Sequence, residues 1–189
     1  MSVPFFHIVL VRPEIPQNTG SIARLAAATR TRLHLVGPLG FSLEDRYLKR
    51  AGLDYWPLVD LRTYPGWNDF AAAENYQGRE EARRSVNSYG DHDNDGTRNI
   101  NPPRDSGGPR LRYFSARAAR SYLDADYESG DFLVFGSETK GLGEEFLRAR
   151  VETTYRIPIF EPGVRSLNLA NAVSIVLYEA LRRTGRLIP

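Results

Sequence analysis

Three polar loops of this 189-residue chain carry the side chains best suited to chemistry, and each follows a predicted strand. The first loop, PEIPQNTGSIAR, contains Asn18 and Arg24, and the second, GSETKG, contains Glu138. The third, EPGVRSLN, contains Ser166 and Asn168. Guanidinium, carboxylate, hydroxyl and amide groups can bind ribose hydroxyls and phosphates. The three loops are therefore candidate parts of one site for a nucleotide-like ligand.

Each loop also has a purely structural interpretation. Glycine and serine are common in ordinary turns, so GSETKG alone specifies no ligand. Ser166 or Asn168 could simply cap the long helix that follows, and Asn18 stands where the cap of the first helix belongs. Arg24 could be a solvated side chain. Two familiar phosphate loops are excluded, because Leu142 replaces the P-loop lysine and no G-x-G-x-x-G opens a strand-to-helix turn.

Strands and helices alternate around these loops, which predicts a parallel α/β sheet. The predicted strands are Phe5–Val11, Leu33–Val36, Trp56–Val59, Leu111–Phe114, Phe132–Phe135 and Tyr155–Ile159. The predicted helices are Asn18–Ala28, Leu43–Ala51, Trp67–Ala73, Glu144–Arg150 and Asn168–Arg183. Loops that follow parallel strands meet at the carboxyl edge of the sheet, where open α/β proteins bind ligands.

The α/β pattern is interrupted once, over residues 78–110. This segment is rich in Gly, Pro, Asn and Asp and poor in large apolar residues, which predicts a flexible insertion in a single domain of 1–189. Asp91 to Gly96 matches the first half of a calcium loop, but Pro102 stands where the bidentate Glu is required. We therefore expect no metal site here.

Composition excludes several classes of protein. The chain has no cysteine, so disulfides, thiolate nucleophiles and Cys-bound zinc are excluded, and three histidines spread along the sequence supply no metal site alone. No apolar run is long enough for a membrane helix, and the N-terminal apolar run lacks the flanks of a signal peptide, which predicts a cytoplasmic protein. Nearly all of the 25 basic residues are arginine. Arginine suits phosphates and stacked bases, although a codon bias explains this equally well.

Four motifs follow one another along the chain: PEIPQNTGSIARL, LHLVGPLGFSLEDRYLKRAGLDYW, FGSETKGL and RIPIFEPGVRSLNLANAVSIVLYEA. Together they resemble the SPOUT class of S-adenosylmethionine-dependent RNA methyltransferases. Within that class the chain is similar to the bacterial tRNA 2′-O-ribose methyltransferases that act on the wobble nucleotide, cytidine or uridine 34. The resemblance implies a deep C-terminal trefoil knot, a homodimer, and S-adenosylmethionine bound in the knot. Ser137 departs from the pattern, because many relatives have proline there.

The resemblance also assigns roles to individual residues. The catalytic set would be Asn18, Arg24, Glu138, Ser166, Asn168 and Tyr178, with Arg24 near the attacking ribose. The cofactor would contact Phe114, Ser115, Gly136, Gly141, Ile157, Ser166 and Leu167. A guanidinium stays protonated in proteins, so we interpret Arg24 as a phosphate clamp that stabilises the developing alkoxide, with the proton leaving through a phosphate or water.

The expected partner is the anticodon loop of tRNA, and the expected reaction requires no metal. Single-stranded RNA is bound on aromatic rings and arginine planes, so Arg46, Tyr47 and Arg50 are candidate contacts, although they could equally form a solvated helix face. The alternatives are methylation at another tRNA position or on rRNA, or a non-catalytic RNA-binding module of the same fold.

Overall fold

The structure, a computed structural model, describes residues 4–43, 55–74 and 110–187. Within these ranges seven strands form one sheet. They are β1 (His7–Val11), β2 (Arg32–Val36), β3 (Leu61–Tyr64), β4 (Leu111–Phe114), β5 (Arg120–Ser121), β6 (Phe132–Phe135) and β7 (Thr154–Arg156). Their order is β3-β2-β1-β6-β4-β7-β5, and every neighbouring pair is parallel. The predicted parallel α/β sheet is confirmed.

Helices cover both faces of this sheet. The α-helices are α1 (Pro16–Ala28), α2 (Trp67–Ala73), α3 (Glu144–Arg148) and α4 (Leu169–Arg183). Short 3-10 helices span Trp56–Leu58, Tyr122–Asp124 and Val151–Thr153. Helices α1 and α4 pack against each other. Among the helices that the structure describes, none is long and apolar enough to cross a membrane.

The core is divided by the sheet into two layers, because side chains alternate along each strand. On one face Leu10 of β1 packs with Ile22 of α1 and Val173 of α4. On the other face Val9 packs with Phe70 of α2. Helices α1 and α4, which begin next to the candidate loops, therefore share one apolar layer that fixes their starting points.

The register brings the carboxyl ends of the central strands level with one another. Val11 at the end of β1 lies opposite Val36 at the end of β2. Phe114 of β4 lies opposite both Phe135 of β6 and Tyr155 of β7. Because β1 also pairs with β6, five strands release their loops along one edge.

Two local predictions were wrong. Residues 56–59 were expected to form a strand, but Pro57 lies in the first turn of the 3-10 helix Trp56–Leu58, and the strand is Leu61–Tyr64. Proline favours that turn because its φ is preset and it lacks an N–H for a sheet ladder. Asn18 was expected to cap α1, but the helix begins at Pro16 with Ile15 as the cap residue. The two-residue strand β5 was not predicted.

The other predicted elements within the described residues are confirmed, although β1 begins two residues later than predicted and β7 and α3 end earlier. Most of the predicted second helix and of the insertion lies outside the described residues. The same is true of the candidate RNA contacts Arg46, Tyr47 and Arg50 and of the calcium-like sequence at 91–96. The trefoil knot implied by the resemblance stays a prediction.

Two histidines that are distant in sequence form a buried hydrogen-bonded chain. The Nδ1 atom of His7 lies 2.8 Å from Nε2 of His34, and Nδ1 of His34 lies 3.0 Å from the Tyr64 hydroxyl. Tyr64 donates to Glu74 at 2.8 Å, and Arg62 donates to the same oxygen. Because the carboxylate only accepts, the protons point from His7 through His34 and Tyr64 to Glu74. His34 is neutral in this arrangement, because its Nε2 has to accept a hydrogen bond from His7.

Acid should destabilise the fold through these two histidines. The pKa of His7 is lowered to about 4 and that of His34 to about 2. Burial is the main cause for both, His7 is the second cause for His34, and the charges of Arg32 and Arg62 contribute to both shifts. The unfolded chain, with histidine pKa values near 6.5, therefore takes up protons first as the pH falls. We expect the free energy of unfolding to fall by about 1.5 kcal/mol for each histidine between pH 6.5 and pH 5.

Denaturant unfolding at these two pH values measures the effect. The double variant His7→Leu/His34→Leu should show a flatter pH dependence over this interval, whatever its stability at pH 7. An equally steep dependence in the double variant would assign the acid sensitivity to other groups.

Candidate functional site

One chain of hydrogen bonds joins the three candidate loops at the carboxyl edge of the sheet. Asn168 donates from Nδ2 to Oδ1 of Asn18 at 2.9 Å. Asn18 in turn donates from Nδ2 to Oε1 of Glu138 at 2.9 Å. These residues are 120 and 150 positions apart in sequence. The prediction that the three loops converge is therefore confirmed for these three side chains, which we call the loop relay.

The two end residues of the relay, Asn168 and Glu138, fix the direction of both hydrogen bonds. Asn168 is the N-cap of α4, and its Oδ1 accepts from the backbone N–H groups of Ala170 and Asn171. Only its Nδ2 is left to face Asn18, and the carboxylate of Glu138 can only accept. Asn18 must therefore present oxygen to one neighbour and nitrogen to the other. An ionised aspartate at position 18 cannot do both, because it has no N–H or O–H to donate to Glu138.

Asn168 consequently has two roles that the sequence presented as alternatives. It caps α4, as the structural interpretation expected, and it also orients Asn18. The cap holds the amide in one orientation, because the two α4 amides bind its oxygen. Helix capping thus sets the geometry of the relay.

Glu138 supplies the acceptor that was expected from Asn18 at the start of α1. Its carboxylate accepts from the backbone N–H of Glu14 at 2.8 Å and of Ile15 at 3.3 Å, as well as from Asn18. An anion beside a helix N-terminus is favoured by the helix dipole. This placement explains the absence of a side-chain cap within the α1 sequence, since the capping charge comes from the loop after β6.

A second contact ties the same two loops together. The hydroxyl of Thr139 lies 2.9 and 2.7 Å from the two carboxylate oxygens of Glu14, to which it can donate its proton. Glu14 and Thr139 were not among the predicted site residues. Nothing in the sequence indicates this contact, because it depends on the adjacency of β1 and β6.

The second loop is a closed turn built largely of backbone. The N–H of Ser137 donates to the carbonyl of Gly141 and the N–H of Gly141 donates back, at 3.2 and 2.9 Å. A Cβ at Gly136 would lie 2.0 Å from the Gly141 carbonyl carbon, and Gly141 has φ of +62°. Proline at position 137 would lack the N–H that closes this turn, so Ser137 makes a hydrogen bond here that a proline could not make.

The predicted cofactor residues follow the adjacent strands. Phe114 is buried and stacks on Phe135 with ring centroids 4.9 Å apart, so only its backbone is available at the loop. The N–H of Ser115 donates to the carbonyl of Tyr155 at 2.9 Å. Ile157 is half-buried against the core after β7. Ser166 is exposed and Leu167 half-buried, directly before the α4 cap.

Besides Ser166, two predicted catalytic residues lie outside the loop relay. Arg24 is exposed on α1, and its guanidinium carbon lies 5.1 Å from the centre of the Tyr55 ring. Tyr178 is 49% exposed on α4, ten residues after Asn168 and so about 15 Å further along the helix axis. Within the described residues the relay is made without either of them. Tyr55 was not predicted as a site residue.

A family model matches most of the chain, over residues 5–93 and 103–178, and its description is the SpoU rRNA Methylase family. The chain belongs to the SpoU rRNA Methylase family. The matched residues include all three members of the loop relay and both Arg24 and Tyr178.

Individual proteins are similar to this chain along nearly its whole length. The tRNA (cytidine(34)-2′-O)-methyltransferase of Burkholderia pseudomallei is 39% identical over 181 residues, which cover 95% of this chain and 96% of the relative. A solved structure that concerns the 2-OH methylation of C/U34 on tRNA is 44% identical, with a TM-score of 0.72, and covers 94% of this chain and 95% of its own.

A more distant solved relative contains a ligand. The SpoU methyltransferase AviRb from Streptomyces viridochromogenes was solved in complex with the cofactor AdoMet. It is 25% identical to this chain with a TM-score of 0.68, and the match covers 97% of this chain and 59% of AviRb. The SpoU fold therefore extends over the described sheet and its helices.

Proposed function

We propose that this chain is an S-adenosylmethionine-dependent tRNA 2′-O-ribose methyltransferase that acts on the wobble nucleotide, cytidine or uridine 34. The observation that carries the proposal is the end-to-end similarity to a tRNA (cytidine(34)-2′-O)-methyltransferase. The loop relay supports it, because three side chains at the ligand-binding edge of the sheet are held in one fixed arrangement.

The loops at the ends of β4, β6 and β7 fit the adenosylmethionine cofactor. The turn from Gly136 to Gly141 exposes backbone, and a Cβ at Gly141 would meet no atom within 4 Å. Ile157 and Leu167 add half-buried apolar surface, and Ser166 adds a hydroxyl. An apolar lining with a few hydrogen-bonding groups is typical of a small-molecule site. When bound, S-adenosylmethionine supplies an activated methyl group.

The protein then has to position the ribose 2′-hydroxyl and stabilise it as its proton leaves. Arg24 is exposed and permanently charged, and the Tyr55 ring limits the directions that its guanidinium can take. We assign Arg24 to an RNA phosphate beside the target ribose, where it stabilises the developing alkoxide. The proton passes to that phosphate or to water. The loop relay fixes the position of the cofactor loops relative to α1, which carries Arg24.

We also propose that the enzyme is a cytoplasmic homodimer, as the resemblance implies. Apolar side chains on the described surface support an interface. Phe160 is 94% exposed and Val164 45% exposed on the loop before α4, and Ile175 and Tyr178 are exposed one turn apart on α4. Large apolar side chains that stay exposed on a loop and on the helix after it are candidates for a protein interface. Tyr178 then acts at the interface or on bound RNA.

The proposed function is tested by incubating the purified protein with labelled S-adenosylmethionine and either total tRNA or rRNA. We expect label in tRNA, and nucleotide mapping should place the 2′-O-methyl group at position 34. Addition of a metal chelator should leave the rate unchanged. A double variant of the relay, Asn18→Ala/Asn168→Ala, serves as the negative control.

Each other outcome identifies one of the alternatives. Methylation of tRNA at a different position, or of rRNA, would retain the chemistry and correct the substrate. RNA binding without transfer of label to any RNA would contradict the enzymatic proposal and favour a non-catalytic binding module.

A further inference from the structure

A cavity at the carboxyl edge of the sheet lies outside the residues assigned to the cofactor. Its volume is about 260 Å³, and it opens between the loops that follow β1, β2 and β6. Arg12 from the β1 loop and Lys140 from the β6 loop line it. Both side chains are exposed, and neither takes part in the salt bridges found among the described residues.

The remaining walls of the cavity are apolar side chains and tightly packed backbone. Pro38 and Leu39 of the β2 loop provide the apolar surface. The N–H of Gly40 donates to the carbonyl of Pro13 at 2.9 Å, and a Cβ at Gly40 would lie 2.8 Å from the Cα of Glu14. Two different loops are therefore packed together to form this wall.

Among the described residues that line the cavity, the one carboxylate is that of Glu14, and it already has a partner. Both of its oxygens lie within 2.9 Å of the Thr139 hydroxyl. The two cations in the cavity thus outnumber the anion, and that anion is held on the neighbouring loop. Two cations beside an apolar wall match the chemistry of a nucleotide, with its anionic phosphate and apolar base faces.

The order of the strands places this cavity and the cofactor residues on opposite sides of the β6 loop. Strands β1 and β2 lie on one side of β6, and strands β4 and β7 lie on the other. The β6 loop contributes Lys140 and Ser137 to the cavity and Gly136 and Gly141 to the predicted cofactor site. Glu138, in the middle of this loop, fixes it to α1.

From this arrangement we propose that the cavity binds the RNA strand next to the target ribose. Arg12 and Lys140 hold backbone phosphate, and Pro38 and Leu39 support a base. The methyl acceptor then enters from the β1–β2 side of the Glu138 loop, and the methyl donor lies on the β4–β7 side. This inference rests on the proposed RNA methyltransferase function and adds the part of the fold that receives the RNA.

The test measures how tightly total tRNA binds to three full-length proteins. They are the parent, its Arg12→Gln/Lys140→Gln variant, and a control variant in which two exposed arginines outside the cavity are replaced. The control is Arg30→Gln/Arg183→Gln. Arg30 follows the end of α1 and Arg183 ends α4, so both lie at the helix ends opposite the relay. Arg30 also shares the positive φ of Arg12, 52° against 53°, so the two substitutions meet the same backbone conformation.

We expect the cavity variant to bind tRNA at least tenfold more weakly at 0.1 M salt. The slope of log affinity against log salt should become shallower by about 0.7 for each phosphate that the variant no longer neutralises. Affinity for S-adenosylmethionine should not change, and the control should retain the tRNA affinity and salt slope of the parent. Wild-type tRNA affinity and slope in the cavity variant would overturn the inference.

The position-34 methylation assay on the same proteins separates this inference from the proposed function. If the parent methylates position 34 and the cavity variant binds tRNA as the parent does, the function stands and the cavity assignment is wrong. If the parent methylates no tRNA but its salt-dependent RNA binding disappears in the cavity variant, the cavity assignment stands and the proposed function is wrong.

Discussion

Replacing Glu138 with glutamine should lower the methyl-transfer rate at least 100-fold and the free energy of unfolding by about 2 kcal/mol. The carboxylate accepts three hydrogen bonds, from the backbone of Glu14 and Ile15 and from Asn18. A glutamine of the same size must turn its NH₂ group toward at least one of these donors. Hydrogen bonds to charged groups contribute about 1.5–3 kcal/mol each, which sets the scale of the stability loss.

The loss of rate follows from geometry. If Asn18 turns its oxygen toward the new amide, its NH₂ group faces the NH₂ group of Asn168, which capping of α4 holds in place. The loops that position cofactor and ribose then shift relative to each other. A misplacement of about 1 Å can cost about 100-fold in rate.

Denaturant unfolding and single-turnover methylation measure the two effects. Glu144→Gln is the matched control, because the Glu144 side chain is 77% exposed and its ion pair is with the equally exposed Arg117. We expect a change below about 0.5 kcal/mol for the control. If the Glu138→Gln variant has wild-type stability and a wild-type rate, the relay does not position the loops that hold the cofactor and the ribose.

Replacing Arg24 should reduce kcat/KM for tRNA at least 100-fold with alanine and at least tenfold with lysine. A phosphate clamp uses the planar, forked donors of arginine, and lysine offers only a point charge. Lysine also loses much of the stacking with Tyr55 that orients the guanidinium. Because Arg24 is exposed, the free energy of unfolding should stay within about 0.5 kcal/mol of wild type.

The Arg24 variants are compared with Arg30→Lys and Arg30→Ala, which alter an exposed arginine just past the end of the same helix. Affinity for S-adenosylmethionine should be unchanged in all four proteins. Near-wild-type activity in Arg24→Lys would contradict the requirement for a forked donor. A lower cofactor affinity in Arg24→Ala would show that Arg24 contributes to binding the methyl donor.

Much of the fold was determined by sequence pattern alone. Continuous apolar runs such as Ile8 to Val11 and Leu133 to Phe135 predict buried parallel strands, because both faces of such strands are covered. The helical spacing of Val173, Val176 and Leu177 likewise predicts the long C-terminal helix. These signals are local, and the structure confirms them.

Local signals failed where a distant part of the chain supplied the deciding contact. Asn18 has the right residue type for a helix cap. The acceptor at the N-terminus of α1 is instead the carboxylate of Glu138, which lies in the loop after the neighbouring strand β6. His7 and His34 read as isolated polar residues within apolar strands, until the β1–β2 register places them on one face of the sheet. In both cases the stability of the buried polar group depends on a hydrogen-bond partner that sequence spacing cannot identify.

The sequence by itself determined which residue types are present at the candidate site and that they follow parallel strands. It named Asn18, Glu138 and Asn168 without indicating any bond between them. Only the tertiary structure decided that these three form one directed relay and that Arg24 stacks on Tyr55. It also showed the cavity lined by Arg12 and Lys140, on the β1–β2 side of the β6 loop. The physical reason is that strand order and register bring together groups more than 100 residues apart, and hydrogen bonds are made only at contact distance.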